Sequence, residues 1–265
     1  MTESIIEVHT LVKTFGAIEA VRGISFSVPR GSIFGFLGPN GAGKTTSIKM
    51  LTTLLHPTSG SIRLNGFDPA TEQHQVRSSF GIVFQDPSLD DELTTYENME
   101  FHGVLYDVPK ELRVARIKEL LTFTELWDRR NDLVKGFSGG MKRRLEIARG
   151  LLHHPMVLFL DEPTIGLDPQ TRNHIWSYIQ ALNKKEGITV FFTTHYIEEA
   201  EKVADAIAVI DHGSIVARGT VAEVKKQGGN AGSLEDAFIA LTGRAIREQE
   251  GDGADMMRLR HGLRR

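Results

Sequence analysis

The strongest constraint on this chain is an eight-residue run, Gly38-Pro39-Asn40-Gly41-Ala42-Gly43-Lys44-Thr45. It fits G-x-x-x-x-G-K-[ST] and follows IFGFL at 33–37, which reads as a buried strand; a helical pattern from about Lys44 to Leu55 comes after it. Glycines there let backbone N–H groups converge on phosphate oxygens, and a helix start adds favourable partial charge. A chance match arises in roughly two chains per hundred of this composition, and the strand–turn–helix setting makes it rarer still. The run therefore predicts a nucleotide-phosphate site. Lys44 reaches the β- and γ-phosphates, Thr45 offers a hydroxyl to Mg2+, and Thr46 adds a phosphate contact.

The rest of the chain reads as an α/β fold, a P-loop NTPase (RecA-like) core. VLFL at 157–160 and ITVFF at 188–192 are further continuous apolar runs, the mark of strands covered on both faces. Between them Ile175, Ile179 and Leu182 recur at helical spacing, and Gly187 is placed to end that helix. VRGISFSV followed by PRGS predicts an N-terminal antiparallel β-subdomain. From Leu93 to His154 strand character is sparse; Val114, Ile117, Leu120 and Leu121 make one amphipathic helix, and Leu145, Ala148 and Leu152 suggest another. A helical subdomain of about 86–154 is thus expected as an insert in the core. A C-terminal helical extension over 221–246 carries Leu234, Phe238 and Leu241, and the charged, glycine-containing tail 247–265 is expected to be disordered.

Composition excludes several classes. Lysine and arginine number 31 against 34 aspartates and glutamates, a formal charge of -3, which is not the basic footprint of a nucleic-acid binder. With no cysteine, disulfides, thiol catalysis and thiolate metal sites are out. The opening MTESIIEVHT is acidic where a signal peptide is basic. No run approaches the ~20 apolar residues of a membrane helix, so work at a membrane needs a partner that crosses it.

A carboxylate pair closes the second strand: Val157-Leu158-Phe159-Leu160-Asp161-Glu162-Pro163. Charges directly after a buried run need partners. A magnesium ion beside Thr45 supplies one for Asp161, and Glu162 is then placed as general base toward the attacking water.

Phe137-Ser138-Gly139-Gly140-Met141, about twenty residues before that strand and opening a helix, resembles the LSGGQ signature of ABC ATPases. The resemblance covers about residues 5–220 and implies one ABC ATPase domain. It also implies a head-to-tail dimer in which Ser138, Gly139, Gly140 and Met141 of one subunit close on the ATP γ-phosphate held by the other. Gln85, in VFQDPS, matches the Q-loop glutamine that approaches the metal, so the implied magnesium ligands are Thr45, Gln85 and Asp161. Gly166-Leu167-Asp168 matches the D-loop, His195 in TTHY the switch histidine at the γ-phosphate, and Phe15 in KTFG the aromatic that stacks on adenine. Three positions depart from the family pattern: Met141 replaces glutamine, Gly166 replaces alanine, and Phe15 replaces tyrosine while keeping its π-face.

FSGGMKRRLEIARGLLHHP, TTHYIEEAE and SLEDAFIALTG are similar to ATPases of the daunorubicin-resistance type, which pair with ABC-2 permeases. That likeness implies an ATP-hydrolysing subunit, peripheral at the cytoplasmic face of the cell membrane, exporting a drug-like, lipid or glycan substrate through a separate permease. Its ATPase partner is more readily a second identical subunit than a different one, and no nucleic acid is involved. The permease is expected to dock along 85–106, with Phe84, Leu89, Leu93 and Tyr96 as contact candidates. Arg258, Arg260, Arg264 and Arg265 read as a solvated tail more readily than as a lipid-headgroup contact. The alternatives are an importer ATPase, or a soluble ABC-type ATPase in ribosome- or DNA-associated work. The long coiled-coil insert of DNA-maintenance ATPases has no counterpart here, and a ribosome-associated protein carries two cassettes where this chain shows one.

Overall fold

The computed structural model describes residues 3–243. The expected tail 247–265, with its arginines, and the last residues of the C-terminal extension lie outside the described residues.

The apolar runs form the middle of a six-stranded sheet. Its strands are β3 (Ile33–Leu37), β5 (Phe80–Val83), β6 (Val157–Asp161), β7 (Thr189–Thr194), β8 (Ala206–Asp211) and β9 (Ser214–Gly219), in the order β5-β6-β7-β3-β8-β9. The first four pairings along that order are parallel, and β9 folds back antiparallel on β8. Every residue of β3, β6 and β7 is buried, as continuous runs demand. A second sheet, β2-β1-β4, is antiparallel and uses β1 (Ser4–Phe15), β2 (Ile18–Pro29) and β4 (Ser59–Leu64).

Two cores lie on opposite faces of the six-stranded sheet. One joins it to the antiparallel sheet, where Phe26, Phe34, Phe36 and Phe191 pack with ring centroids 5.5–6.1 Å apart. The other is covered by helices: α4 (Lys110–Phe123), α5 (Gly139–Gly150), α6 (Pro169–Glu186), α7 (Ile197–Val203), α8 (Val221–Gln227) and α9 (Leu234–Thr242). Ile175, Ile179 and Leu182 all face inward from α6, and Gly187 closes it at φ 67°, a left-handed position that glycine takes without a Cβ clash.

Two local expectations need correction. The helix after the glycine-rich run, α1 (Lys44–Leu51), stops short of Leu55. The Thr52 hydroxyl bonds back to the Ile48 carbonyl at 2.8 Å, and Thr53 takes φ 62°, which no α-helix continues. In α4, Ile117, Leu120 and Leu121 are buried, but Val114, one turn earlier, is 45% exposed and outside that core. Strands β4, β5 and β9 are short and mixed in character, and the periodicity of the chain does not announce them. Between β5 and β6 the described elements are helical: α3 (Thr95–Leu105), α4, α5 and two short 3₁₀ turns, following α2 (Gln73–Ser79), which precedes β5.

Candidate nucleotide site

The glycine-rich loop crosses from the end of β3 to α1, and its glycines are needed where the chain is crowded or turned. A Cβ at Gly38 would stand 2.3 Å from the Ile210 carbonyl oxygen. Gly43 takes φ 108° as N-cap of α1, where no side chain caps the helix, so the first N–H groups are left to face the loop. Pro39 and Ala42 are buried with them, while Asn40 and Gly41 are exposed at the tip.

Lys44 is only 6% exposed, and its ammonium has three partners. Nζ donates to the Gly38 and Pro39 carbonyls at 2.7 and 3.2 Å and pairs with Glu162 Oε1 at 3.2 Å. Glu162 follows the end of β6 at φ 50°, an uncommon backbone for a side chain of this size. Its other oxygen, Oε2, lies 2.7 Å from His195 Nδ1 and accepts from the His195 N–H at 3.3 Å. Burial pushes the Glu162 carboxyl up, but the His195 hydrogen bond and the Lys44 charge outweigh it and hold the group below the ordinary carboxylate range.

Asp161 is 2% exposed. Its Oδ1 accepts from Thr45 Oγ1 at 3.4 Å and from Thr193 Oγ1 at 2.6 Å. Thr193, fully buried on β7, also accepts the Glu162 N–H at 3.0 Å, so one hydroxyl orients both acids. A hydroxyl beside a carboxylate is a hard-oxygen set that suits Mg2+. Among the described residues no group of three or more histidines and acids could hold a metal alone, so an ion here would complete its shell with phosphate and water.

Five predicted residues thus come together: Lys44, Thr45, Asp161, Glu162 and His195. Thr46 is half-buried beside Thr45 in the first turn of α1. Others sit apart from that cluster. Ser138 caps α5, its oxygen accepting the Met141 N–H at 3.3 Å, and Ser138, Gly140 and Met141 line a separate cavity of about 140 Å³ with Thr171 and His174. A Cβ on Gly140 would stand 2.6 Å from Thr171 Cγ2, so the second signature glycine is a close-approach glycine against α6; Gly139 is exposed. Asp168 caps α6 through Thr171, accepting its N–H at 3.0 Å and its hydroxyl at 2.6 Å. Gln85 is exposed, and only its carbonyl is engaged, by Arg143. Phe15 is 48% exposed with the Lys13 ammonium 5.1 Å from its ring centre. A larger cavity, about 760 Å³, opens beside Pro39, Asn40 and His195.

Sequence reasoning missed Thr193 and the Thr164–Glu199 contact. The Thr164 hydroxyl lies 2.8 Å from both Glu199 oxygens, tying the loop after Glu162 to α7, and burial pushes the Glu199 carboxyl up. The only signal for Thr193 was a hydroxyl-bearing residue at the end of an otherwise apolar strand.

Lys44, the strand-end acids Asp161 and Glu162, and the partly buried His195 thus meet beside the glycine-rich loop. The sequence matches the ABC transporter family over residues 21–165, and the chain belongs to that family as an ATP-binding, ATP-hydrolysing subunit. It is 45% identical over 225 residues to the daunorubicin/doxorubicin resistance ATP-binding protein DrrA of Streptomyces peucetius, covering 85% of this chain and 68% of that one. It is 42% identical over 215 residues to the Nod factor export ATP-binding protein I of Ralstonia nicotianae, covering 81% and 67%. Among solved structures, an ATP-binding subunit of an ABC transporter superposes with TM-score 0.82 at 29% identity, over 90% of this chain and 99% of that one. A dimeric ATP-binding cassette in a post-hydrolysis state, bound to ADP and Pi, superposes with TM-score 0.73 at 27% identity, over 81% and 98%.

Proposed function

We propose that this subunit hydrolyses MgATP in a head-to-tail dimer to drive export through a separate ABC-2 permease at the cytoplasmic face of the membrane. The observation that carries the chemistry is the buried Lys44–Glu162–His195 network beside Asp161 and Thr45. Lys44 leaves Glu162 for the β- and γ-phosphates as ATP enters. Thr45 and Asp161 would hold Mg2+, which when bound offsets phosphate charge. Freed of Lys44, Glu162 Oε1 takes up the attacking water as general base, with its carboxylate still aimed by His195. Ser138 and the glycines of the opposite subunit complete the γ-phosphate shell at a helix start. Phe15 offers its exposed ring to adenine.

Export is supported by the relatives, which are named for drug resistance and for Nod factor export. No helix among the described residues is long and apolar enough to cross a membrane, and the separate permease proposed here would provide the path. Docking support shifts along the chain. Phe84, Leu89, Leu93 and Tyr96 are half-buried, with Leu89 and Tyr96 packed on the core, whereas Phe101, Val104 and Leu105 of α3 are 61, 51 and 63% exposed. An apolar stripe of that size on one helix is what a partner helix covers. The domain limits proposed are 5–220 for the ATPase, with 86–154 inserted, and 221–246 for the extension.

The residue roles are tested by Glu162→Gln, which should bind ATP, hydrolyse it at under a hundredth of the normal rate and accumulate as a dimer; unchanged turnover removes Glu162 from its role. The transport reading is tested by purifying the tagged protein from its membranes in mild detergent. A co-purifying permease without its own cassette is expected; recovery on ribosomes or DNA overturns export.

A further inference from the structure

Helix α5 starts at the signature motif, and one stripe of it is occupied by the loop that leaves β5. Arg143 donates to the Phe84 carbonyl at 2.6 Å and to the Gln85 carbonyl at 3.3 Å. One turn on, Glu146 Oε1 accepts the Ser88 N–H at 2.8 Å, and after another turn Arg149 donates to the Ser88 carbonyl at 2.7 Å and to its hydroxyl. Arg143 and Glu146 also pair with each other at 3.2 Å, and they are 6% and 2% exposed. Spacing of three residues places all three side chains on one helix face.

The loop's continuation is fastened to the first turn of the same helix and to its lead-in. Lys142 pairs with Asp91 at 2.7 Å, the Lys135 N–H donates to the Asp91 carbonyl at 3.1 Å, and the Val134 N–H donates to the Leu93 carbonyl at 3.1 Å. A buried ion pair is poor value as a stabiliser, since well-packed apolar residues serve as well or better. This pair also hydrogen-bonds loop backbone at Phe84, Gln85 and Ser88, which a methionine or leucine could not do.

We propose that Arg143 and Glu146 are positioning residues that lock the Gln85 loop to the signature helix. A displacement of the loop at the subunit's own nucleotide or at the permease then arrives at Ser138 undiminished. The two half-sites of a dimer are thereby tied through each subunit. This inference rests on the roles proposed for Gln85 and Ser138.

The primary test is the double variant Arg143→Met with Glu146→Leu, chosen because it leaves no buried unpaired charge. Fluorescent ATP analogue binding should stay within twofold, because neither residue touches the Lys44 cluster. The kcat of hydrolysis should fall at least tenfold with KM within twofold. Because the chain has no cysteine, Asp91→Cys with Lys142→Cys can be bridged in the same background by a short bismaleimide. The bridge should restore most of the lost kcat. Wild-type kcat in the double variant, loss of nucleotide binding together with kcat, or a bridge that restores nothing would each overturn the lock. Arg143→Lys, which keeps the charge, should fall between wild type and the double variant; a wild-type value there does not support the geometry and counts against it. Glu162→Gln run alongside separates the two readings: if it turns over normally, the assignment of the site has failed rather than the lock.

Discussion

Lys44 and His195 both engage the Glu162 carboxylate, and Glu162→Gln reports on that engagement before any chemistry. The variant swaps a buried anion for a neutral amide between a buried ammonium 3.2 Å away and an imidazole 2.7 Å away. Removing one partner of a buried pair costs about 3–5 kcal/mol, because the remaining charge is left uncompensated. Lys44 keeps the Gly38 and Pro39 carbonyls, which argues for the lower end, about 3 kcal/mol. For a chain of this size about 2–4 °C is lost per kcal/mol, so the nucleotide-free variant should melt about 6–12 °C below wild type. The sign on ATP is opposite. Wild type must break the pair before Lys44 meets phosphate, and the variant does not, so its ATP affinity should rise about tenfold or more, at about 1.4 kcal/mol per decade. Differential scanning fluorimetry at pH 7.5 with an ATP titration measures both. The Glu162 carboxyl lies below its ordinary 4.5, so its contribution is fully present above that pH and is lost as pH falls through the depressed value. Equal melting temperatures without nucleotide, together with equal ATP affinities, would refute the idea that the Lys44–Glu162 pair must open for ATP to bind.

Four further outcomes are expected. Gly140→Ala should lower the melting temperature by the equivalent of about 1–3 kcal/mol through the 2.6 Å approach to Thr171 Cγ2. Adding Thr171→Ser, which removes that methyl and keeps the hydroxyl on Asp168, should restore it in thermal denaturation. Thr193→Val should weaken the Mg2+ dependence of nucleotide binding by about 10–100-fold, from the loss of a hydrogen bond to a charged group worth about 1.5–3 kcal/mol, while Thr193→Ser retains it and binding in EDTA is unchanged. Burial lowers His102 to about 3 and His153 to about 4, so the unfolded chain takes up protons first as pH falls below 6.5. Stability is full above that pH and should drop by up to about 2 kcal/mol per histidine by pH 5, a slope that His102→Phe should roughly halve in urea titrations. Phe101→Asp with Leu105→Asp should abolish co-purification of the permease and leave ATP binding intact.

Much of this molecule was legible because its motifs are local. The eight-residue loop, the strand-end acids and the serine–glycine–glycine turn each occupy consecutive residues, and their strands are apolar runs that leave little choice of conformation. The contacts that hold the site together are not local. Thr193 meets Asp161 across two neighbouring parallel strands, 32 residues apart, and Arg143 meets Phe84 from 59 residues away. Nothing in the period of the chain around either residue specifies its partner. Sequence pattern also cannot tell a glycine kept for phosphate from one kept for packing. The resemblance assigns Gly140 to phosphate, and the structure adds an independent packing reason for it, a methyl group of α6 where a Cβ would stand.

The cap on α5 has a consequence for the dimer cycle proposed above. The Ser138 oxygen is the acceptor for the Met141 N–H, but a hydroxyl carries a proton as well as lone pairs, and that proton is not used by the cap. Ser138 can therefore hand a donor to an incoming phosphate oxygen while its helix stays capped. Closing around nucleotide and letting it go need no fraying and re-forming of the first turn. An asparagine would cap as well, yet with a longer, planar group that changes where the donor stands, and an aspartate would meet the phosphate with like charge. Among the good helix caps, the hydroxyl residues are the ones that make capture and release of the same anion cheap in both directions.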